Sequence, residues 1–143
     1  MTVRSILDEK GRNVITLGVS TSVADALKLL EEKAIGVILI TNSEGRLEGI
    51  LSERDIVRSL ARAGAGMLSD SVASHMTSNV VTCSESDAVI GVMEVMSKGR
   101  FRHLPVTDNG KLVGLISIGD VVKRRLQVVE KEAEDIRSYI ATI

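Results

Sequence analysis

Residues 14–40 of this chain slide onto residues 80–106 with their apolar positions in register. This repeat restricts the fold more than any other feature, because a chain that writes one pattern twice is expected to build one unit twice. Val14-Ile15-Thr16 meets Val80-Val81-Thr82, and Val23, Ala26, Leu27 and Leu30 meet Val89, Val92, Met93 and Met96. Deleting one residue in the turn that follows restores the register. Gly45 to Asp55 then runs alongside Gly110 to Asp120, so that Gly49, Ser52 and Asp55 fall on Gly114, Ser117 and Asp120. Chance can match an apolar face, but it rarely matches glycine, serine and aspartate as well.

Each copy reads β-α-β-β-α. The first helix carries apolar residues at i, i+3, i+4 and i+7, a one-sided stripe, with Ser20 or Ser22 in the first copy and Ser86 in the second as N-caps. Strands are expected over residues 35–41 and 101–107, the first a near-continuous aliphatic run suited to burial on both faces. Asn42-Ser43-Glu44-Gly45 and Asp108-Asn109-Gly110 are turn sequences. A short strand then ends at Ser52 or Ser117, and a helix starts at once with Asp55 or Asp120 in its first turn. Gly64 and Gly66 end the first of these helices and open a linker over residues 64–79, with an extra turn near residues 67–72.

A unit of this size buries too little apolar surface to be comfortable alone. The expected fold is therefore α/β: two tandem β-α-β-β-α repeats packed sheet to sheet with pseudo-two-fold symmetry, plus an extended C-terminal helix. Repeat 1 is assigned to residues 1–66, repeat 2 to 67–126 and the helical extension to 127–143. Such a seam creates two equivalent clefts, which are natural ligand sites. In the extension Val122, Leu126, Val129, Ala133, Ile136, Ile140 and Ile143 follow alternating spacings of 4 and 3, a heptad seam. Two readings stand: the helix lies over its own domain, covering the first helix, or it meets the same helix of a second copy in a homodimer.

Composition narrows the function. Apolar residues make up 44% of the 143, enough for a core that is aliphatic because Phe101 and Tyr139 are the only aromatics. The net charge of −1 offers no bulk field for nucleic acid or anionic lipid. The longest apolar run, residues 34–40, is far shorter than the roughly 20 residues a bilayer span needs. No signal peptide is read at the N-terminus, and a single cysteine, Cys83, fits a reducing compartment, so a cytoplasmic location is expected. His75, His103 and Cys83 lack metal-ligand spacing, so no metal is expected. No P-loop, nucleophile elbow or dinucleotide fingerprint occurs, and nothing ties a serine, a histidine and an aspartate into a triad.

The chemistry sits at the repeated strand-to-helix junctions. Ser52 and Ser117, with backbone N–H groups at a helix start, can hold a phosphate. Asp55 and Asp120, one turn on, can accept ribose hydroxyls. The plainer reading makes the serines N-caps and lets the aspartates favour the positive helix end. Where repeat 1 has Gly36-Val37, repeat 2 has Arg102-His103, and cations in a central strand are expensive to bury without an anionic partner. Arg100 and Arg54 add guanidiniums suited to phosphate. Pro105 cannot donate to a strand ladder, so it marks an edge whose backbone groups could bond a base.

These motifs, with the segment Arg102-His-Leu-Pro-Val106 and His75-Met-Thr77, make the chain resemble a tandem pair of CBS domains, a Bateman module, from about Thr2 to Lys123. The resemblance implies a regulatory module rather than an enzyme. Its ligand would be an adenine nucleotide, AMP foremost, with ADP, ATP or NAD(H) as further candidates; an S-adenosylmethionine sensor and an assembly scaffold with vestigial clefts are the alternatives. It implies that Asp55 and Asp120 bind ribose, and that Ser52 and Ser117 touch phosphate or ribose. Arg54, Arg102 and His103 would hold phosphates. Thr16, Val81 and Thr82, with Ile35, Gly36, Val37 and Ile38 and with Leu104 and Pro105, would line the adenine. Repeat 1 lacks the Arg-His-x-Pro segment and repeat 2 has Ile118-Gly119 in place of Glu53-Arg54, so the two clefts are chemically unequal.

Overall fold

The computed structural model describes residues 1–142. Repeat 1 contains β1 (Thr16–Gly18), α2 (Val23–Lys33), β2 (Val37–Thr41), β3 (Leu47–Ser52) and α3 (Glu53–Ala63), preceded by a helix α1 (Val3–Lys10). Two 3-10 turns, Ala65–Ser69 and Val72–Ser74, lead to α4 (Val89–Gly99), β4 (His103–Asp108), β5 (Lys111–Ser117) and the long α5 (Ile118–Thr142). The strands form a three-stranded sheet, β1 parallel to β2 and β2 antiparallel to β3, and a two-stranded antiparallel sheet of β4 and β5. The two hairpins meet at their turns through an Arg46–Lys111 bridge.

The repeat is visible in the packing. Val23, Ala26 and Leu30 of α2 are buried, as are Val89, Val92 and Met96 at the same positions of α4. Leu27, read as part of the buried stripe, is instead 41% exposed on the outer face of α2. Ile38, Leu39 and Ile40 are wholly buried, as the unbroken aliphatic run of β2 requires. Asn109 and Gly110 both take positive φ, closing the β4–β5 turn with the residues best able to do so.

The connecting segments cross between repeats. Val3, Ile6 and Leu7 of α1 pack into the core of repeat 2 with Cys83, Val89 and Leu104, whereas Met67 and Val72 of the linker pack into the core of repeat 1. The repeated glycines follow from this crossing. A Cβ on Gly49 would lie 2.9 Å from the Thr77 carbonyl, and one on Gly114 would lie 2.8 Å from the Leu7 side chain. Each glycine leaves room for the segment entering the other half.

Three sequence expectations change. Ser22 caps α2 by accepting from the Asp25 N–H, but α4 starts after Ala88 with no side-chain cap, so Ser86 is not one. The position matching Ser22 is Ala88, which has no hydroxyl to offer, while the Met1 carbonyl accepts the Val89 N–H at 3.1 Å just as the Asp70 carbonyl accepts the Val23 N–H at 2.9 Å in repeat 1. The first strand of repeat 2 shrinks to one bridge, Cys83 to Val106. In repeat 1 the Leu39 N–H reaches the Ile15 carbonyl; the matching position in repeat 2 is Pro105, which has no N–H, so that rung is lost. Finally, only the start of α5 lies against the domain, packing on β5, α4 and α1. Val122, Leu126, Val129, Ile136 and Ile140 are exposed, so the heptad seam does not cover α1. Its last position, Ile143, lies outside the described residues.

Candidate functional site

Both junctions form capping boxes. The Ser52 hydroxyl accepts from the Asp55 N–H at 3.1 Å, and an Asp55 carboxylate oxygen accepts from the Ser52 N–H at 2.9 Å. Ser117 and Asp120 repeat this at 3.1 and 2.8 Å. The plainer reading of the motif is thus realised twice, at about 1 kcal/mol per cap. It does not exhaust the groups: each serine hydroxyl can still donate its own proton, and a carboxylate has a second oxygen.

The surroundings of the two boxes differ. Asp55 makes no ion pair among the described residues and opens on a cavity of about 410 Å³ between the repeats. That volume lies within the range of about 300–1,000 Å³ found for small-molecule sites. Repeat 1 contributes Gly36, Val37, Ile50 and Ser52 to Asp55 of its wall, and repeat 2 contributes Thr77, Asn79–Val81 and Arg100–His103. Three guanidiniums, Arg54, Arg100 and Arg102, stand against two carboxylates, Glu53 and Asp55, so the cavity favours an anion. Arg100 ends α4 with φ of 56°, a left-handed conformation that non-glycine residues adopt at a cost. Burial pushes the His103 imidazole below its ordinary value; the fields of Lys10 and Arg102 act in the same direction, against that of Asp120.

Asp120 is engaged instead. Lys10 places its Nζ 2.6 Å from Asp120 Oδ2 and 2.9 Å from the Leu115 carbonyl. Burial raises the Asp120 carboxyl, but the Lys10 hydrogen bond, joined by those from Ser117, holds it below the usual carboxylate range. Beside this pair a hollow of about 200 Å³ lies between α1 and α5, lined by Glu9, Lys10, Asp120 and neighbouring residues of the two helices.

Of the residues singled out from the sequence, Gly36, Val37, Ser52, Arg54, Asp55, Val81, Arg102 and His103 come together in the larger cavity. Others stand elsewhere. Ile38 and Leu104 are core side chains, and Ile35 packs against the repeat 1 core. Pro105 is buried within β4, and its carbonyl takes the Cys83 N–H, so it is not free for a base; the group that loses a partner is the Val81 carbonyl opposite. Thr16 and Thr82 are exposed outside the cavity wall. Ser117 and Asp120 belong to the other junction. Arg102 is an exposed residue before β4 and needs no burial. Cys83 is a core residue whose thiol burial pushes up to about 12, which leaves it inert. The sequence had not assigned Ile50, Glu53, Thr77, Asn79, Val80 or Phe101 to the site. Ile50 was within reach, since it shares a strand face with Ser52 two residues on; Thr77 and Asn79 sat in what read as linker.

The CBS domain family model matches residues 3–62 and 71–127, the two repeats in turn. The chain belongs to the CBS-domain family. Among solved CBS structures, the CBS-domain containing protein ATU1752 from Agrobacterium tumefaciens is 46% identical, with a TM-score of 0.82 over 87% of this chain and 99% of that one. The CBS domain pair of protein MJ0100, in complex with 5′-methylthioadenosine and S-adenosyl-L-methionine, is 29% identical with a TM-score of 0.75, over 86% and 94%. CBSX2 in complex with AMP is 28% identical with a TM-score of 0.73, over 89% and 97%. Among the described residues of this CBS pair, no helix is long and apolar enough to cross a membrane.

Proposed function

We propose that this CBS pair is a regulatory adenine-nucleotide sensor that binds AMP, or ADP, ATP or NAD(H), in the cleft between its repeats and performs no chemistry. The observation that carries the reading is Asp55, an unpaired carboxylate facing Arg100, Arg102 and His103 across a cavity of about 410 Å³. The carboxylate suits two vicinal ribose hydroxyls, and the guanidiniums suit a phosphate. Val37, Ile50 and Val81 offer apolar faces to a base, and the Val81 carbonyl, without a Pro105 N–H opposite, can accept from an exocyclic amine.

The adenosyl ligands of MJ0100 and CBSX2 support the ligand class. A second reading, an S-adenosylmethionine sensor, rests on the MJ0100 complex alone. It is the weaker one because three guanidiniums against two carboxylates disfavour a ligand of net positive charge. Occupancy would act on a protein partner or on the oligomer. The exposed seam of α5, Leu126, Val129, Ile136 and Ile140, supports a homodimer. A thermal-shift panel with AMP, ADP, ATP, NADH and S-adenosylmethionine tests the reading. A ligand at 100 times its Kd adds about 2.7 kcal/mol to stability and raises Tm accordingly. AMP is expected to give a clear shift, and a panel without any shift would leave only the scaffold reading.

A further inference from the structure

We propose that Lys10 is a latch on the second cleft: by holding Asp120 it restricts this chain to one nucleotide, at Asp55, and a second enters only when Lys10 leaves. The inference rests on the nucleotide reading of the Asp55 cleft and asks what the repeat does with its other half.

The two junctions superimpose bond for bond up to one point. The Glu53 N–H gives to the Gly36 carbonyl at 3.0 Å, and the Ile118 N–H gives to the Arg102 carbonyl at 2.8 Å. Both then form the same Ser–Asp box. The difference lies in the segment entering beside each box. Beside Asp55 the 3-10 turn ends at Ser74, the chain extends, and the Thr77 N–H bonds the Ile50 carbonyl at 2.9 Å. Beside Asp120 the entering segment stays helical through Lys10 and stops at Gly11, whose φ of 99° suits glycine. Among the described residues no backbone N–H takes Thr77's place. The matching carbonyl, that of Leu115, is satisfied by the Lys10 ammonium, which spends a second proton on Asp120.

One side chain thus replaces a backbone bond and sets an ammonium on the carboxylate a ribose would need, on the same Oδ2 that accepts the Ser117 N–H. The latch is held in place, because the preceding residue, Glu9, faces Lys123 at 3.8 Å and Arg124 at 3.6 Å on α5. It is also reversible: the Lys10 and Asp120 side chains are 38% and 25% exposed, so water can take over both partners. Release would free α1 from the junction and loosen its grip on α5, the helix bearing the exposed seam.

Calorimetric titration of AMP into the full chain decides this. Wild type and Lys10→Arg are expected to bind one AMP per chain, Lys10→Met two, and Lys10→Met combined with Asp120→Asn one again. Thermal melting confirms that each variant is folded. A ligand-free check follows the Asp120 carboxyl by NMR: it titrates below the usual range in wild type and moves up in Lys10→Met. Lys10→Met binding a single AMP overturns the latch and leaves the Asp55 site standing. Two AMP per wild-type chain, loss of AMP from Lys10→Met, or an unmoved Asp120 titration also overturns it. If neither wild type nor Lys10→Met binds AMP, the nucleotide reading falls, and the latch falls with it.

Discussion

At the end of β3 a serine and an aspartate cap a helix and face open space; at the end of β5 the same two residues cap a helix and face a lysine. The cap bonds agree to within 0.1 Å, so the local motif does not decide what each junction can bind. The segment that crosses from the other end of the chain does. Repetition in the sequence specified two equal caps, and the unequal entering segments, an extended Thr77 and a helical Lys10, made them unequal sites. A duplicated fold can thus hold one open site and one closed site with few changes to the duplicated residues.

The comparison breaks most readily at the carboxylates. Asp55→Asn keeps an acceptor for the Ser52 N–H but loses the charge, and is expected to weaken AMP roughly 10- to 100-fold, since hydrogen bonds to charged groups are worth about 1.5–3 kcal/mol each. Asp120→Asn is expected to leave AMP affinity within about twofold, because its charge is already paired with the Lys10 ammonium. Calorimetry on the two variants measures the contrast, and equal losses would mean the junctions are equivalent after all.

A smaller effect sharpens the assignment of the phosphate end. Arg102→Ala is expected to weaken AMP about tenfold while changing adenosine, which has no phosphate, by less than about twofold. Similar losses for both ligands would place Arg102 against the base or sugar instead.

The smallest effect is a titration. His103 lies at the large cavity yet feels Lys10 and Asp120 of the other junction, with Arg102 beside it. Its imidazole is held below the ordinary value, so the unfolded chain binds the proton more readily. Ligand-free stability is therefore expected to fall as the pH drops below about 6.5 toward the folded-state pKa. A phosphate near the ring favours its charged form, so AMP is expected to raise the His103 midpoint in an NMR titration. An unchanged or lowered midpoint would separate His103 from the phosphate.

Much of the fold was legible because periodicity survives burial. The stripe Val23-Ala26-Leu30 and its copy Val89-Val92-Met96 packed as read, and the aliphatic run of β2 was buried on both faces. What the sequence hid was contact between distant segments. The first N–H of α4 bonds the Met1 carbonyl, 88 positions before it in the chain. Pro105 was read as exposing its own strand edge, yet its effect falls on Val81 across the missing rung. The role of Lys10 was invisible for the same reason, since its partner lies 110 positions away. The site divided along that line: the residues at the open junction came together, while at the other junction Asp120, the same residue type as Asp55, took Lys10 as its partner.

The proposed nucleotide would sit across the seam with its ribose on Asp55. A crystal structure of the chain grown with AMP tests this placement most directly. Ribose hydroxyls are expected on the Asp55 carboxylate and the phosphate among Arg100, Arg102 and His103, with Lys10 still on Asp120. A ribose on Asp120 in the unaltered chain, or AMP bound away from the seam, would contradict it.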